Sequence, residues 1–416
     1  MHQMETTIKP QPFENPFRPG AGQMPPYLAG RNLETDKFKR LLQQTIVMEN
    51  AILTGLRGVG KSVLLASLRP LALAAGWLWV GTDWSESASV SEDNLATRIL
   101  ADIALVTGPL VVREVRQYEL GFMQTERVIR QPLDYDILES RYRNTPGLSS
   151  DKLKSVLEFL WSVLPQGAIK GVVFAYDEAQ NLADHAEKEQ YPLSVLLETF
   201  QSTQKKEIPM MLVLTGLPTL FPKLIKARTY SERMFDVMTL KPLDELASRE
   251  AIVNPTLTTN CPIHFSDETV NAIAEMSGGY PYFIQFICRE VYDVWISKLQ
   301  TGEAASVPKG DIIRKLDSNF FQGRWGRATD RQKEMLQVIA TLENCDTEFT
   351  VADVVNGSKT LLASPFKPSN ANLMLAALCD AELVYKNRFG KYLLAVPLLS
   401  QFILRQTSQS LNLPVR

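Results

Sequence analysis

Residues 55–62 read Gly55-Leu56-Arg57-Gly58-Val59-Gly60-Lys61-Ser62, followed by Val63. This G-x-x-x-x-G-K-S spacing has a physical purpose. Glycines let the backbone wrap until its N–H groups face an anion, and a helix opening at Lys61 adds positive potential there. Lys61 would neutralise β and γ phosphates, and Ser62 would ligate Mg²⁺. The flanks agree, because Asn50-Ala51-Ile52-Leu53-Thr54 is an apolar strand and residues 61–75 read as a helix.

A second element carries acids. Val172-Val173-Phe174-Ala175-Tyr176 is an apolar run ending in Asp177-Glu178. Ligands bind at the carboxyl edge of a parallel sheet, so this run delivers two carboxylates to the same edge as the glycine loop. Asp177 fits a Mg²⁺ partner, and Glu178 fits the group that polarises an attacking water. A GTPase would carry D-x-x-G here and N-K-x-D later. The chain has Asp177-Glu178-Ala179-Gln180 and no N-K-x-D, which favours ATP. A water-activating Glu also disfavours a nucleotide kinase. Thr215 closes another apolar run, where it could hold the γ-phosphate or the lytic water. Arg228 and Arg233 precede the next run. Arg233 reads either as a finger reaching a neighbouring subunit's nucleotide or as a surface arginine.

The elements that position these residues alternate. Strands are expected at residues 50–54, 77–81, 171–176, 210–215 and 235–240, with helical stretches between them. That order makes a parallel sheet covered on both faces. Residues 31–44 read as an amphipathic helix. Residues 1–28 are rich in Pro, Gly and Gln and read as an extended arm, either a disordered tail or a docking arm. The stretch of about 107–150 is too long for one crossover and reads as an insertion. Residues 243–322 are helical, with Gly278-Gly279 as punctuation. From about 323 a new unit begins, with helices at 329–342, 351–355 and 370–381. A hairpin follows, with Lys386-Asn387-Arg388-Phe389-Gly390-Lys391 at its tip. Thr329 and Ser369 are the expected caps. The core thus spans 29–242, and three helices with a hairpin give a winged-helix order over 323–416.

The bulk properties bound the alternatives. With 416 residues the chain holds two or three domains, and its net charge of −2 gives no global basic field for nucleic acid. Four scattered cysteines and three histidines exclude a zinc ribbon, a disulfide framework and a histidine metal site. No apolar run approaches the roughly 18 residues of a membrane helix, and no signal core opens the chain. The expected location is cytoplasmic.

The order of these motifs, from Gly30-Arg31 with Glu34 through the P-loop, Asp177-Glu178, Thr215 and Arg233 to Gly279-Tyr280-Pro281 and a winged helix, resembles ATPases of the AAA+ and STAND group. It is similar to archaeal and bacterial ATPases related to origin-recognition and replication-licensing proteins. Asn15-Pro16-Phe17-Arg18-Pro19-Gly20 and the Gly55–Lys61 stretch resemble a bacterial subfamily described as ATP-binding proteins. The resemblance implies an α/β P-loop NTPase core of the additional-strand, catalytic-glutamate class (ASCE), with a helical lid and a C-terminal winged helix. It further implies Gly30 and Arg31 on the adenine side, Arg233 at the finger position, and Tyr280 and Pro281 touching the base. Replication-type members carry a sensor arginine in the lid. Gly278-Gly279-Tyr280-Pro281-Tyr282 lacks one at that place, which points to slow hydrolysis and a switch, with Arg289 the nearest substitute.

Two functions stand. In one, Mg-ATP drives homo-oligomer assembly that controls a DNA transaction (replication, transposition or mobile-element defence). In the other, ATP is held and hardly turned over, and the winged helix docks a partner protein. Residues 323–416 carry 11 Lys and Arg against 8 Asp and Glu. Lys367, Lys386, Arg388 and Lys391 are the candidate DNA contacts. The third helix itself, opening Asn370-Ala371-Asn372, has no Lys or Arg.

Overall fold

Five apolar runs pair into one parallel sheet in the computed structural model, which describes residues 14–109, 111–118, 126–165, 167–258, 261–301, 306–387 and 390–410. The strands are β1 (Asn50–Thr54), β2 (Trp77–Val80), β5 (Gly171–Tyr176), β6 (Met210–Gly216) and β7 (Phe235–Thr239). Between β2 and β5 the chain forms an antiparallel pair, β3 (Val111–Tyr118) and β4 (Glu126–Pro132). The sheet order is β2-β5-β6-β1-β7. One strand, β6, therefore stands between the glycine-loop strand β1 and the acid strand β5, which is the additional-strand arrangement.

Alternation along each strand sorts side chains between two layers. Ala51, Leu53, Val173, Ala175, Met211 and Val213 pack on one face against α1 (Asn32–Leu41) and α2 (Lys61–Ala74). Ile52, Val172, Phe174, Tyr176, Met210, Leu212 and Leu214 pack on the other. That second layer is built by α3 (Glu92–Thr107), α4 (Tyr135–Asn144), α5 (Ser149–Val163), α6 (Pro192–Gln204), α7 (Leu220–Ala227) and the short α8 (Ser231–Met234). All five β1 residues are buried, as a strand covered on both faces must be.

The stretch of about 107–150 is not a single appendage. Its first half is the β3-β4 pair, but α4 buries Leu138 and Tyr142 in the main core. Asp134 caps α4 by accepting a hydrogen bond from the Ile137 N–H at 3.1 Å.

The lid comprises α9 (Glu245–Thr258), α10 (Asp267–Ser277), α11 (Pro281–Thr301) and α12 (Lys309–Leu316). A π-helical segment, Asp317–Phe321, leads into α13 (Gln322–Arg327). The C-terminal unit follows with α14 (Asp330–Ala340), α15 (Val351–Leu361), α16 (Pro368–Asp380), a two-stranded hairpin of β8 (Val384–Lys386) and β9 (Tyr392–Leu394), and α17 (Leu399–Ser410). Thr329 and Gln332 form a reciprocal capping box at α14. Two details differ from the sequence expectation. The second helix runs on to Leu361. The third opens at Pro368 rather than after Ser369, because a proline at the first helical position needs no N–H partner. Lid and C-terminal unit share one hydrophobic core that runs continuously through Phe283, Phe321 and Phe402 across residue 323. Among the described residues, no helix is long and apolar enough to cross a membrane.

Candidate nucleotide-binding site

The glycine loop leaves β1 in a conformation that side chains resist. Gly55 has φ +155°, and a Cβ there would lie 2.7 Å from the Leu240 carbonyl oxygen. Gly60 caps α2 at φ +93° with no side-chain cap, so the first-turn N–H groups of Lys61, Ser62 and Val63 face outward, free for an anion. Lys61 folds back into the loop, donating to the Gly55 and Leu56 carbonyls at 3.0 Å each. Burial pushes its ammonium down to about 8, against the pull of Glu178 and Asp177.

Asp177 follows β5 directly, 7% exposed, and burial raises its carboxyl above the usual range. The Ser62 hydroxyl opposes that shift, so the loop serine and the strand acid already interact. The Glu178 N–H also donates to Asp177 Oδ1 at 2.8 Å. Glu178 itself sits at φ +51°, a left-handed conformation that costs a non-glycine residue roughly 1–2 kcal/mol. Such strain persists only where the surroundings impose it. Gln180 holds the Glu178 side chain. Its amide donates to the Glu178 carboxylate, and its Oε1 accepts from the Leu217 N–H at 3.2 Å. Lys223 Nζ holds the Gln180 carbonyl at 2.6 Å. The β5 and β6 ends are thereby clamped together, a role for Gln180 and Lys223 that the sequence motifs do not assign.

The loop and Glu178 open onto a cavity of about 420 Å³. Pro281 and Tyr282 line it from the lid, and the Tyr282 N–H donates to the Gly58 carbonyl at 3.1 Å. Tyr280 does not line it. Its half-buried ring packs edge-on to Phe283, because Pro281 starts α11 and turns the next residue toward the loop. Arg31 lines the cavity but is 6% exposed, donating to the carbonyls of Val59 at 2.8 Å and Lys241 at 3.0 Å. It braces the loop against the lid junction. Gly30 faces the lid, where a Cβ would lie 2.6 Å from Ala247 Cβ.

The segment of residues 14–28 is docked on the lid at several points, although Gly20–Met24 are exposed. Phe17 is 2% exposed in the lid core and stacks on Phe265 at 6.0 Å. Asn15 Nδ2 donates to Asp293 Oδ1 at 2.8 Å, and Tyr27 OH to Glu250 at 3.2 Å. The segment from Arg18 to Ala29 thus becomes one wall of the cavity. The two aromatic anchors within the Pro/Gly stretch were the available signal. Residues 1–13 lie outside the described residues.

Other expected site residues stand apart. Thr215 is fully buried on the α2 face, opposite Leu53, with its hydroxyl unpartnered; it does not line the cavity, while Leu217 does. Arg233 is exposed on α8, and Arg228 pairs with Glu198 at 3.6 Å. Arg289 is exposed on α11, away from the cavity. The arginine brought there from the lid side is Arg324 of α13. On the C-terminal unit, Lys367 is exposed, Lys386 lies 5.3 Å from the Tyr392 ring, and Lys391 pairs with Glu348 at 2.8 Å. Arg388 lies outside the described residues.

Fold and cavity together define a class: an α/β P-loop core of AAA+ type with a helical C-terminal region. Among solved structures, the chain is similar to the Walker-type ATPase PABY2304 of Pyrococcus abyssi at 15% identity and TM-score 0.56, over 91% of this chain and 96% of that one. It is also similar to the ORC2 protein of Aeropyrum pernix, in its ADP form, at 13% identity and TM-score 0.52, over 94% and 98%. At these identities the likeness is one of fold. Residues 318–403 match the family model of a domain of unknown function (DUF8462). No curated protein matches the chain.

The residues fit ATP with Mg²⁺. The unpaired amides at the start of α2 suit phosphate oxygens, and the Ser62 hydroxyl beside the Asp177 carboxylate is a hard-oxygen pair suited to a magnesium ion.

Proposed function

We propose that this protein is a Mg-ATP-dependent switch ATPase of AAA+/STAND type. The observation that carries it is one cavity lined by Lys61, Ser62, Glu178, Pro281 and Tyr282, so that triphosphate cradle, water-polarising acid and lid meet. Ser62 and Asp177 would hold Mg²⁺, which supplies neutralisation of phosphate charge when bound. Lys61 would exchange its loop carbonyl partners for phosphate oxygens. Glu178, fixed by Gln180, would orient water at the terminal phosphate. The wall of residues 18–29 and the Arg31 brace would enclose the base. Closure of the lid then drives assembly, with exposed Arg233 reaching a neighbouring copy's nucleotide, and the assembly acts on DNA through the winged helix. Steady-state ATP hydrolysis with and without duplex DNA tests this. DNA-stimulated turnover lost in Glu178→Gln supports it, and no turnover at all overturns the hydrolytic part.

A second reading has its own observation. The outer face of α16 presents Asn370, Asn372, 72% exposed Leu373 and Ala376, with no cation, and Lys391 is already neutralised by Glu348. That face suits a partner protein better than phosphates. In this reading ATP is held with little turnover, and nucleotide state governs docking. A salt dependence of DNA affinity that is unmoved by reversing Lys386 and Lys391 supports docking.

A further inference from the structure

The N-terminal arm crosses the cavity between two anchors, and both anchors are on the lid. Before the crossing, Phe17 is buried and stacks on Phe265, which lies just ahead of α10. The Arg18 N–H donates to Gln285 Oε1 of α11 at 3.0 Å, and Gln285 is itself buried. The Tyr292 hydroxyl, also on α11, donates to the Glu14 carbonyl at 3.4 Å. After the crossing, the Tyr27 hydroxyl donates to Glu250 of α9, and Ala29 is buried in the same lid core.

Between the anchors run Pro19-Gly20-Ala21-Gly22-Gln23-Met24-Pro25-Pro26. Proline fixes φ, so both stems of this segment are stiff. The tip is a tight turn. The Gly20 N–H donates to the Arg18 carbonyl at 2.8 Å, and the Gln23 N–H to the Gly20 carbonyl at 3.4 Å. Gly22 sits at φ +67°, a left-handed conformation that glycine adopts without steric cost.

The place where the tip lands sets its use. A Cβ on Gly22 would lie 3.9 Å from the Ser62 Cβ, an ordinary van der Waals distance. Ser62 stands in the first turn of α2, beside Lys61, so the tip covers the phosphate end of the cavity. Among the described residues, no hydrogen bond or ion pair ties residues 19–26 to the core. The segment also carries no charge, so it neither attracts phosphates nor competes with them as an anion. It lies on the cradle without being bonded to it.

Resting on the reading of this cavity as an ATP site, we propose that residues 19–26 are a strap over its phosphate end that controls nucleotide exchange. Because both ends are fixed to the lid, the strap travels with the lid, and its tip leaves Ser62 when the lid opens. Mg-nucleotide enters and leaves past the lifted tip. The strap therefore slows entry and release together, as a closing lid does, and changes affinity little.

The test uses the full chain and stopped-flow fluorescence with labelled ADP and a labelled non-hydrolysable ATP analogue, each with Mg²⁺. Gly22→Val puts a β-branched residue at a left-handed φ on an exposed tip, which opens the turn without disturbing a core. Its association and dissociation rates are both expected to rise about tenfold for either nucleotide, with affinity changed less than about threefold. Phe17→Ala frees the entering anchor. It should raise association about threefold and dissociation by more, because part of the cavity wall is lost with the anchor. Faster association in either variant supports the strap. Association unchanged in both, whatever happens to dissociation, makes the segment a binding wall and overturns the proposal while leaving the ATP site intact. A wild-type chain that binds neither nucleotide overturns both.

Discussion

The glycine loop gathers its anion donors within residues 55–63, whereas the wall facing it takes Arg18, Tyr282 and Arg324 from three separate stretches of chain. The loop sits on a strand buried on both faces and at the start of a 14-residue helix. The facing wall sits on a docked arm, a lid helix and a glycine-flanked connector. A rigid cradle opposite a jointed wall is what a switch requires. In the proposed function the cradle would fix the ligand, and the wall would respond to its charge.

The sharpest break between the two sides lies in chemistry rather than binding. Glu178→Gln should lower ATP turnover by about 10³-fold, within the range general-base removal produces, with nucleotide affinity retained. Single-turnover kinetics with a parallel binding titration would show it; an equal loss of affinity would assign Glu178 to the cradle alone. Lys61→Ala should weaken ATP by about 100-fold, or about 2.7 kcal/mol, in the same titration. Phe17→Ala removes an arm anchor buried in the lid. It should loosen residues 18–29 to protease and lower ATP affinity by about tenfold while leaving the core sheet's melting unchanged. Unaltered affinity would show that the arm covers the lid without forming the wall.

A pH titration separates cradle from wall more gently. The Lys61 ammonium titrates at about 8, and bound phosphate favours its charged form. Above pH 8, binding must take up a proton, so ATP affinity falls as pH rises from 7 to 9, by roughly tenfold. Affinity rising over that window would contradict the buried, loop-bound lysine. The smallest effect belongs to the hairpin. Reversing Lys386 and Lys391 should flatten the salt dependence of DNA affinity by about one unit of slope for each phosphate no longer neutralised. The share of Lys391 should be the smaller, because Glu348 already holds it.

The cradle was legible because its determinants are local. Gly55, Gly60, Lys61, Asp177 and Glu178 announce themselves by type and spacing, and the strands behind them by uninterrupted apolar runs. Gln180 lies two residues from Glu178 and is still silent in the sequence, since nothing local shows that its amide spans from β5 to β6. Tyr280 and Tyr282 are indistinguishable by composition. Only the start of α11 at Pro281 decides which ring meets the cavity. The arm reads as open chain because proline and glycine are compatible with both a tail and a tailored wall, and Phe17 gains its burial from lid residues about 250 positions away. Arg324 is hidden for the same reason. The resemblance places an arginine near Gly279, where this chain has none, and Arg324 lines the cavity from α13.

The most direct measurement is calorimetric titration of Mg-ATP into the wild-type chain and Lys61→Ala, each checked for an unchanged fold by circular dichroism. Saturable one-site binding by the wild type, weakened about 100-fold in Lys61→Ala, is the expected result. Equal heats and equal affinity in the two proteins would contradict a nucleotide cradle at residues 55–62.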